Sequence, residues 1–288
     1  MYYLDQYLRD IYTLFKSRRL KGKCQMYFFY HLLCVKNLVG KLFGTKFTSQ
    51  KFKHLNFHFD NFNAFFAIFT EIFIYNIYYF ETPKKNPRVV DCGANIGMAV
   101  MYFKYLYPDA VIDCYEPDKA TFKILEKNIA ANNFKDITAF NEAVSGEVGE
   151  LEFYSLGDME GGPGNSLEKS QATFTNTNVY KVPVTTLSSH NYEHIDFLKI
   201  DIEGSEGKVF EDMEKTGLIK RVDHLSLEYH YDEALENNKL SDIMHILEKN
   251  DKRVIINANT LVTIYVDEHI FKSWDNRYVL MLDAYPKI

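Results

Sequence analysis

Most of this chain alternates short apolar runs with amphipathic stretches, and this alternation limits the folds open to it. Val89–Cys92 and Val111–Tyr115 are typical of buried strands, while Met98–Leu106 has the spacing of a helix. Asp118–Asn132 predicts a second helix, with Asp118 as its cap. Strands that alternate with helices form mostly parallel sheets covered on both faces. We therefore expect an α/β fold whose ligands bind at the carboxyl ends of the strands.

The alternation continues toward the C-terminus with one interruption. Further strands are predicted at Ile137–Val144, Phe197–Ile200, His224–Tyr229, Arg253–Asn257 and Tyr278–Ala284. Further helices are predicted at Ser205–Lys215 and Asp232–Lys249. Between them, Leu151–Tyr154 and Val179–Val184 are typical of paired strands. They flank a glycine-rich stretch, Leu156–Asn178, for which two interpretations stay open, a lid over a site and a solvated surface loop.

The first 59 residues differ in charge from the rest. They contain 11 Lys and Arg but 2 Asp and Glu, whereas the whole chain carries a formal net charge of −6. Apolar spacing predicts helices at Tyr2–Phe15 and Met26–Phe43, and a strand at His54–Phe59. We predict a basic, aromatic, mostly helical extension over residues 1–59 and an α/β domain over residues 60–288.

Three interpretations of the extension stay open. It docks on the acidic body or on a second subunit as a homodimer, it binds an anionic acceptor or makes peripheral membrane contact, or it is a solvated face. Docking is favoured because its aromatic stripe needs burial. The acidic net charge argues against a nucleic-acid partner.

The stretch Phe62–Phe80 is long enough to span a membrane, but Asn63, Glu71 and Asn76 interrupt it. A mid-span glutamate is costly in lipid, so a buried helix after an Asp60 cap is predicted instead. The N-terminus lacks a short apolar run after a basic start, and the four cysteines have no zinc or disulfide spacing. A cytoplasmic location is the expectation.

The motif with the most chemical content is VVDCGANIG, where an apolar strand runs into D-x-G-x-x-x-G and then a helix. Gly93 and Gly97 allow a tight turn against which a ligand packs closely. Glu116 follows at the end of the next strand, near the spacing at which an acidic residue binds ribose hydroxyls. Asn95 stands where a dinucleotide-binding turn has its second glycine. The nearby acidic residues favour a cationic cofactor, S-adenosylmethionine, over NAD.

At this point the chain resembles the FkbM-type S-adenosylmethionine-dependent methyltransferases. The matching pieces are EIFIYNIYY (Glu71–Tyr79), VVDCGANIG (Val89–Gly97), YEPD (Tyr115–Asp118), NEAVSG (Asn141–Gly146), LKIDIEGSE (Leu198–Glu206) and LEYH (Leu227–His230). The resemblance implies a seven-stranded class I, Rossmann-like methyltransferase sheet, mostly parallel with a reversed last strand. It also implies O-methylation.

The resemblance further implies a cofactor site. Its residues would be Glu71, Tyr78, Asp91, Gly93, Ala94, Asn95, Gly97, Glu116, Pro117, Asn141, Glu142, Ala143 and Asp201. Asp91–Gly97 would surround the methionine part, Glu116 would hold the ribose, and Asn141–Ala143 would flank the adenine. Glu71 and Tyr78 would come from the helix before the sheet.

The candidate catalytic residues end two neighbouring strands. Asp201 and Glu203 follow one strand, and Glu228 and His230 end the next. Alternate residues of a strand share a face, so the four groups are predicted to meet at one sheet edge. His230 is the first candidate for the general base and Asp201 the second. The four could also hold a divalent metal, but the resemblance does not require one and none is predicted.

The leading hypothesis is therefore an S-adenosylmethionine-dependent O-methyltransferase that acts on a hydroxyl of a sugar, a glycan or a small natural product. Two alternatives stay open, an NAD-linked Rossmann oxidoreductase and a methyltransferase-fold protein that binds without catalysing. The missing middle glycine disfavours the first, and the presence of Glu116, Asp201 and His230 disfavours the second.

Overall fold

A computed structural model describes residues 2–17, 22–156, 167, 177–232, 235, 237–257 and 277–287. The helices are α1 (Tyr2–Lys16), α2 (Lys23–Phe43), α3 (Phe62–Phe69), α4 (Met98–Leu106), α5 (Lys119–Ala131), α6 (Glu206–Thr216) and α7 (Leu240–Lys249). The strands are β1 (Ser49–Phe52), β2 (Leu55–His58), β3 (Arg88–Cys92), β4 (Val111–Tyr115), β5 (Ile137–Phe140), β6 (Ala143–Val144), β7 (Gly149–Leu156), β8 (Thr177–Thr185), β9 (Ile195–Ile200), β10 (Val222–Asp232), β11 (Lys252–Asn257) and β12 (Arg277–Pro286).

The described strands form a central seven-stranded sheet in the order β11-β12-β10-β9-β3-β4-β5. The strands from β10 to β5 in this order run parallel, and β12 runs antiparallel to both of its neighbours. The predicted class I, mostly parallel sheet with a reversed last strand is confirmed. The chain leaves β3 for β4 on one side and returns to β9 on the other, so the switch point of the sheet lies at the end of β3.

A second, three-stranded sheet has the order β6-β8-β7. The predicted pairing of the strands on either side of the glycine-rich stretch is confirmed, since β7 and β8 pair antiparallel. The single strand predicted over Ile137–Val144 is wrong, because the chain turns after Phe140 and β6 joins the smaller sheet. The stretch interpreted as a lid or a surface loop, Leu156–Asn178, lies outside the described residues except for Leu167 and its two ends.

Two predicted helices have different bounds. The helix expected over Phe62–Phe80 begins after Asn61, whose side-chain oxygen accepts from two backbone N–H groups, so Asp60 is not the cap. It continues as a π-helical stretch over Thr70–Tyr75 and ends where Asn76 adopts φ 56°. Tyr78 therefore lies beyond the helix. No described helix is long and apolar enough to cross a membrane.

The helix predicted over Asp232–Lys249 is too long at its start. Strand β10 continues to Asp232 because it pairs with β12 along this whole stretch, and α7 begins at Leu240. The chain between them carries Asn238, whose role in the site is described below. The other predicted helices agree with α1, α2, α4, α5 and α6 to within a few residues.

The N-terminal extension shares its core with the sheet. Phe29 and Phe52 pack on Phe69, with ring centroids 5.0 and 5.9 Å away. Phe69 stacks on Phe73, which meets Tyr102 of α4. Burial of these rings provides a continuous apolar contact from α2, through the α3 region, to the helix that covers the sheet.

Candidate active site

A cleft opens at the carboxyl ends of β3 and β4, beside the switch point of the sheet. Its walls are formed by Gly93, Asn95, Tyr115, Glu116, Pro117, Thr121, Glu142, Ala143, Val144, Phe153, Leu167, Asp201, Ile202 and Glu203. It encloses about 650 Å³ of space that is continuous with solvent. Ligands of open α/β sheets bind at this end of the strands.

The glycine turn after β3 forms the floor of this cleft. Gly93 has φ +83°, and a Cβ there would lie 1.8 Å from the backbone oxygen of Asp201. Gly97 has φ +87°, and a Cβ there would lie 2.7 Å from Cδ1 of Leu125. Asn95, between them, adopts φ 51°. Only glycine fits at positions 93 and 97, which explains the spacing of the motif.

Glu116 is the acidic group at the wall of the cleft. Its Oε2 accepts from the N–H of Asn95 at 2.9 Å, and its Oε1 accepts from the N–H of Asp118 at 2.8 Å. Burial raises its pKa to about 8, although the two N–H groups oppose this. Each oxygen keeps a further lone pair, so the carboxylate can accept from two hydroxyl groups in the cleft. Such donors would favour its ionised form.

Several residues predicted to bind cofactor do not line the cleft. Asp91 is completely buried, and the Nζ of Lys199 lies 3.0 Å from its Oδ1. The amide of Asn141 donates to the backbone oxygens of Glu116 and Pro117, at 2.8 and 3.0 Å, and so holds the chain after β4. Ala94 and Gly97 support the turn from outside the cleft wall. Their roles toward a cofactor stay predictions.

Sequence reasoning missed the apolar wall contributed by the second sheet. Phe153 of β7 is buried and lines the cleft together with Val144 of β6. Thr121, in the first turn of α5, lines it from the other side. The alternation of β7 indicated a half-buried strand, but no pattern in the sequence places that strand over the carboxyl end of β4.

The cleft meets a cluster of acidic side chains around His230. The Nε2 of His230 lies 3.4 Å from Glu203, 3.9 Å from Asp201 and 4.0 Å from Glu228, in each case measured to the nearer carboxylate oxygen. Asp201 and Glu203 also belong to the cleft wall. The four predicted catalytic residues thus lie together, because β9 and β10 are neighbours that run parallel.

Glu71 and Tyr78 lie with this cluster rather than in the cleft wall. The hydroxyl of Tyr78 donates to Oε2 of Glu228 at 3.3 Å. Burial and the charge of Asp201 raise the pKa of Glu71 to about 8. Burial and Asp201 also raise the pKa of Glu228 well above its usual value. The carboxyl group of Glu71 is therefore mostly protonated at neutral pH.

Glu206 is a functional candidate that the sequence interpretation did not include. It is completely buried in the first turn of α6, and its Oε1 lies 2.9 Å from Nδ1 of His230. Its Oε2 accepts from Nδ2 of Asn238 at 2.7 Å. Glu206 ends the LKIDIEGSE string, so its position in the motif was the available signal.

The surrounding carboxylates control the charge of His230. Burial by itself would lower the pKa of this imidazole, but Glu203, Glu206 and Glu228 outweigh burial and raise the pKa well above its usual value. The protonated ring has two N–H groups, and both face carboxylate oxygens. The ligand atoms of Asp201, Glu203 and His230 lie within 4.8 Å of one another, close enough to share a divalent ion.

Lys199 joins the cleft to the cluster. Its Nζ lies 3.3 Å from Oδ2 of Asp201, in addition to its contact with Asp91, and donates to the backbone oxygen of Gly93 at 2.8 Å. The same atom lies 5.4 Å from the ring centre of Tyr78. One buried cation thus fixes the glycine turn relative to the acidic cluster.

Comparison with known proteins agrees with this arrangement. The model of the family described as the methyltransferase FkbM domain matches residues 91–254, which is more than half of the chain. The chain is 28% identical over 189 residues to methyltransferase sdnD of Sordaria araneosa, covering 54% of this chain and 72% of that protein. It is also 28% identical over 160 residues to methyltransferase 1 of Beauveria bassiana, covering 48% of this chain and 63% of that protein.

Solved structures show weaker likeness. A methyltransferase FkbM from Methylobacillus flagellatus aligns with a TM-score of 0.48 and 15% identity, over 78% of this chain and 54% of that one. M. jannaschii TYW2 in complex with AdoMet aligns with a TM-score of 0.41 and 13% identity, over 85% of this chain and 89% of that one. On the family match and the sheet order together, the chain belongs to the FkbM methyltransferase family.

Proposed function

We propose that this protein transfers a methyl group from S-adenosylmethionine to a hydroxyl oxygen of a small-molecule or glycan acceptor. One observation carries the proposal: Asp201 and Glu203 line the cleft and at the same time face His230. A ligand in the cleft therefore ends beside a group of proton-binding side chains. The family assignment favours methyl transfer over hydride transfer.

The residues of the cleft fit S-adenosylmethionine. Glu116 offers two acceptor oxygens to a ribose diol, and the turn at Gly93 has no room for a side chain. Phe153 and Val144 provide apolar surface for an adenine ring. The carboxylates of Asp201 and Glu203 suit a ligand that carries positive charge, whereas they would repel the pyrophosphate of NAD.

The chemistry that S-adenosylmethionine supplies when bound is an electrophilic methyl group. The protein must then hold the acceptor oxygen in line and accept its proton. The carboxylates around His230 raise its pKa and so favour its protonated form, and for this reason we place Asp201 or Glu203 ahead of it as the proton acceptor. The proton passes from the acceptor hydroxyl to Asp201 or Glu203, and the charged imidazole beside them stabilises the carboxylates.

Calorimetry tests the cofactor assignment. We expect the full chain to bind S-adenosylmethionine and not NAD. Glu116→Gln should weaken that binding by about tenfold or more, since it removes one acceptor from a charged hydrogen-bonded site. Glu126→Gln is the matched control, because Glu126 is exposed on the neighbouring helix α5. Binding of NAD in place of S-adenosylmethionine would contradict the assignment.

A second experiment tests the acceptor atom. The enzyme is incubated with methyl-labelled S-adenosylmethionine and a panel of hexosides and polyhydroxylated natural products, and labelled products are treated with alkali. Methyl ethers survive alkali, whereas methyl esters of carboxylic acids release the label. Label that alkali removes, or label found on nitrogen, would refute hydroxyl methylation. Asp201→Asn and Glu203→Gln identify the base, because loss of the carboxylate that accepts the proton should lower kcat by about 10²–10⁴-fold.

A further inference from the structure

Helix α2 has two apolar faces, and only one of them is covered. Met26, Phe29, Tyr30 and Leu33 point into the core. On the opposite side, exposed apolar residues recur at helical spacing. These are Phe28, Leu32, Val35, Leu38 and Leu42. Phe28 is 70% exposed and Leu42 is 66% exposed. A helix that is apolar all round belongs in a core or against a membrane, and water alone is a poor environment for its second face.

Helix α1 extends the same surface. Its exposed apolar residues are Leu8, Tyr12 and Phe15, again at helical spacing. The ring of Phe15 lies 5.6 Å from that of Tyr27, which lies 5.7 Å from that of Phe28, so the two exposed faces meet. We call the exposed residues of α1 and α2 together the N-terminal apolar surface. The distance from Phe28 to Leu42 alone is about 21 Å along the helix.

The charges around this surface are almost all positive. Exposed basic residues lie at the C-terminal end of α1 (Lys16), in the last turn of α2 (Lys41) and just beyond α2 (Lys46). The acidic residues of the extension are Asp5, which is exposed in the first turn of α1, and Asp10. Asp10 is buried and accepts hydrogen bonds from Tyr30 and Tyr75, so it contributes nothing to the outer surface.

We propose that the N-terminal apolar surface docks on an anionic lipid bilayer, with α1 and α2 lying in the plane of the membrane interface. Charge complementarity selects this occupant. Apolar side chains between lysines match acyl chains beneath anionic headgroups. A second copy placed face to face would instead bring two basic rims together, which is unfavourable. The proposal does not depend on the methyl-transfer reaction.

The experiment is cosedimentation of the full chain with vesicles. We expect binding to vesicles of phosphatidylcholine with about one-third phosphatidylserine, much weaker binding to phosphatidylcholine alone, and release as salt is raised. The double variant Leu32→Glu/Leu42→Glu should reduce partitioning by about tenfold or more. Lys41→Glu/Lys46→Glu should reduce it on the anionic vesicles and have little effect on the neutral ones.

The matched control is Val148→Glu/Val179→Glu, which adds the same charges at exposed apolar residues outside the extension. It should bind vesicles as the unmodified protein does. Circular dichroism and the calorimetric affinity for S-adenosylmethionine establish that each variant is folded. Equal binding by the Leu32/Leu42 variant overturns the proposal. A second result would also overturn it: the unmodified protein does not bind anionic vesicles but forms a concentration-dependent dimer, and the Leu32/Leu42 substitutions dissociate that dimer. The surface would then be an interface between copies.

Discussion

Nδ1 of His230 lies 2.9 Å from Oε1 of Glu206, and both side chains are buried. Because a carboxylate only accepts, the imidazole is the donor, and the contact orients Nε2 toward Asp201 and Glu203. A single residue of α6 thus orients the ring of His230 on β10 and contributes to its raised pKa. Glu206 acts through His230 and is a positioning residue.

Substitution Glu206→Gln should lower the pKa of His230, because it removes one of the carboxylates that favour the protonated ring. The pKa is measured from the pH dependence of the His230 ring signal in NMR spectra. Glu211→Gln, at an exposed position of the same helix, is the control and should leave the signal unchanged. An unaltered pKa in the Glu206 variant would show that this contact does not control the ring.

Glu71 gives the protein a pH-dependent stability. Its pKa rises from 4.5 to about 8 on folding, so between these values the folded state binds a proton that the unfolded state has released. Its contribution to the free energy of unfolding therefore falls as the pH rises through this window. In Glu71→Gln the slope of the free energy of unfolding against pH should be less negative than in the unmodified protein, by up to about 1.4 kcal/mol per pH unit. Urea unfolding from pH 5 to 8 measures this slope, with Glu126→Gln as the control. If the stability of Glu71→Gln and of the unmodified protein changed with pH in parallel, the prediction would be contradicted.

The glycine turn tolerates no side chain at Gly93. In Gly93→Ala the new Cβ must displace the backbone of Asp201, and the residue must keep a positive φ. We expect a loss of about 3 kcal/mol or more in the free energy of unfolding, and loss of cofactor binding. Gly149→Ala is the control, because nothing lies within 4 Å of a Cβ there. It should change stability by less than about 0.5 kcal/mol.

Lys199 is expected to be essential to the fold. Lys199→Met leaves Asp91 as a buried, uncompensated charge, so the free energy of unfolding should fall by about 3–5 kcal/mol at neutral pH. Adding Asp91→Asn to the same chain should recover part of that loss. Lys249→Met is the control. It breaks an ion pair of similar length, 2.8 Å from Nζ of Lys249 to Oε1 of Glu214, but at the surface, and should lower the free energy of unfolding by less than about 1 kcal/mol. Equal costs for the two lysines would argue against the buried assignment.

Two adjacent phenylalanines test the packing of the extension. Phe29 is buried against Phe52 and Phe69, so Phe29→Ala should reduce the free energy of unfolding by about 3–5 kcal/mol. Phe28 is exposed, and Phe28→Ala should cost less than about 0.5 kcal/mol while weakening vesicle binding. Both are followed by denaturant unfolding. A separate, early transition for Phe29→Ala would mean that the extension folds independently of the sheet.

Local patterns in the sequence were sufficient for the central sheet. Strand β9 (Ile195–Ile200), for example, is buried on both faces, and such burial favours apolar residues wherever helices cover a parallel sheet. The cleft motif was also local, since the glycines at 93 and 97 and the acid at 116 lie on consecutive β-α units. The prediction that Asp201, Glu203, Glu228 and His230 converge followed from strand adjacency.

Other features depended on contacts between distant segments. The amide of Asn141, a residue that we predict beside the adenine, donates to the backbone that follows β4. Tyr78 was placed on a helix, yet that helix ends at Asn76, and only the chain beyond it brings the hydroxyl to Glu228. No periodicity encodes either outcome, because hydrogen bonds of a side chain depend on which partners tertiary folding brings near.

The amino-acid sequence by itself determined the α/β order, the cofactor turn and the residues that converge at the sheet edge, since each follows from burial, strand alternation or the φ freedom of glycine. Tertiary structure alone decided that carboxylates surround His230 and raise its pKa, and that Glu206 contacts its Nδ1, because the pKa of a buried group depends on every charge around it. It also decided which face of α2 enters the core and which apolar face stays outside.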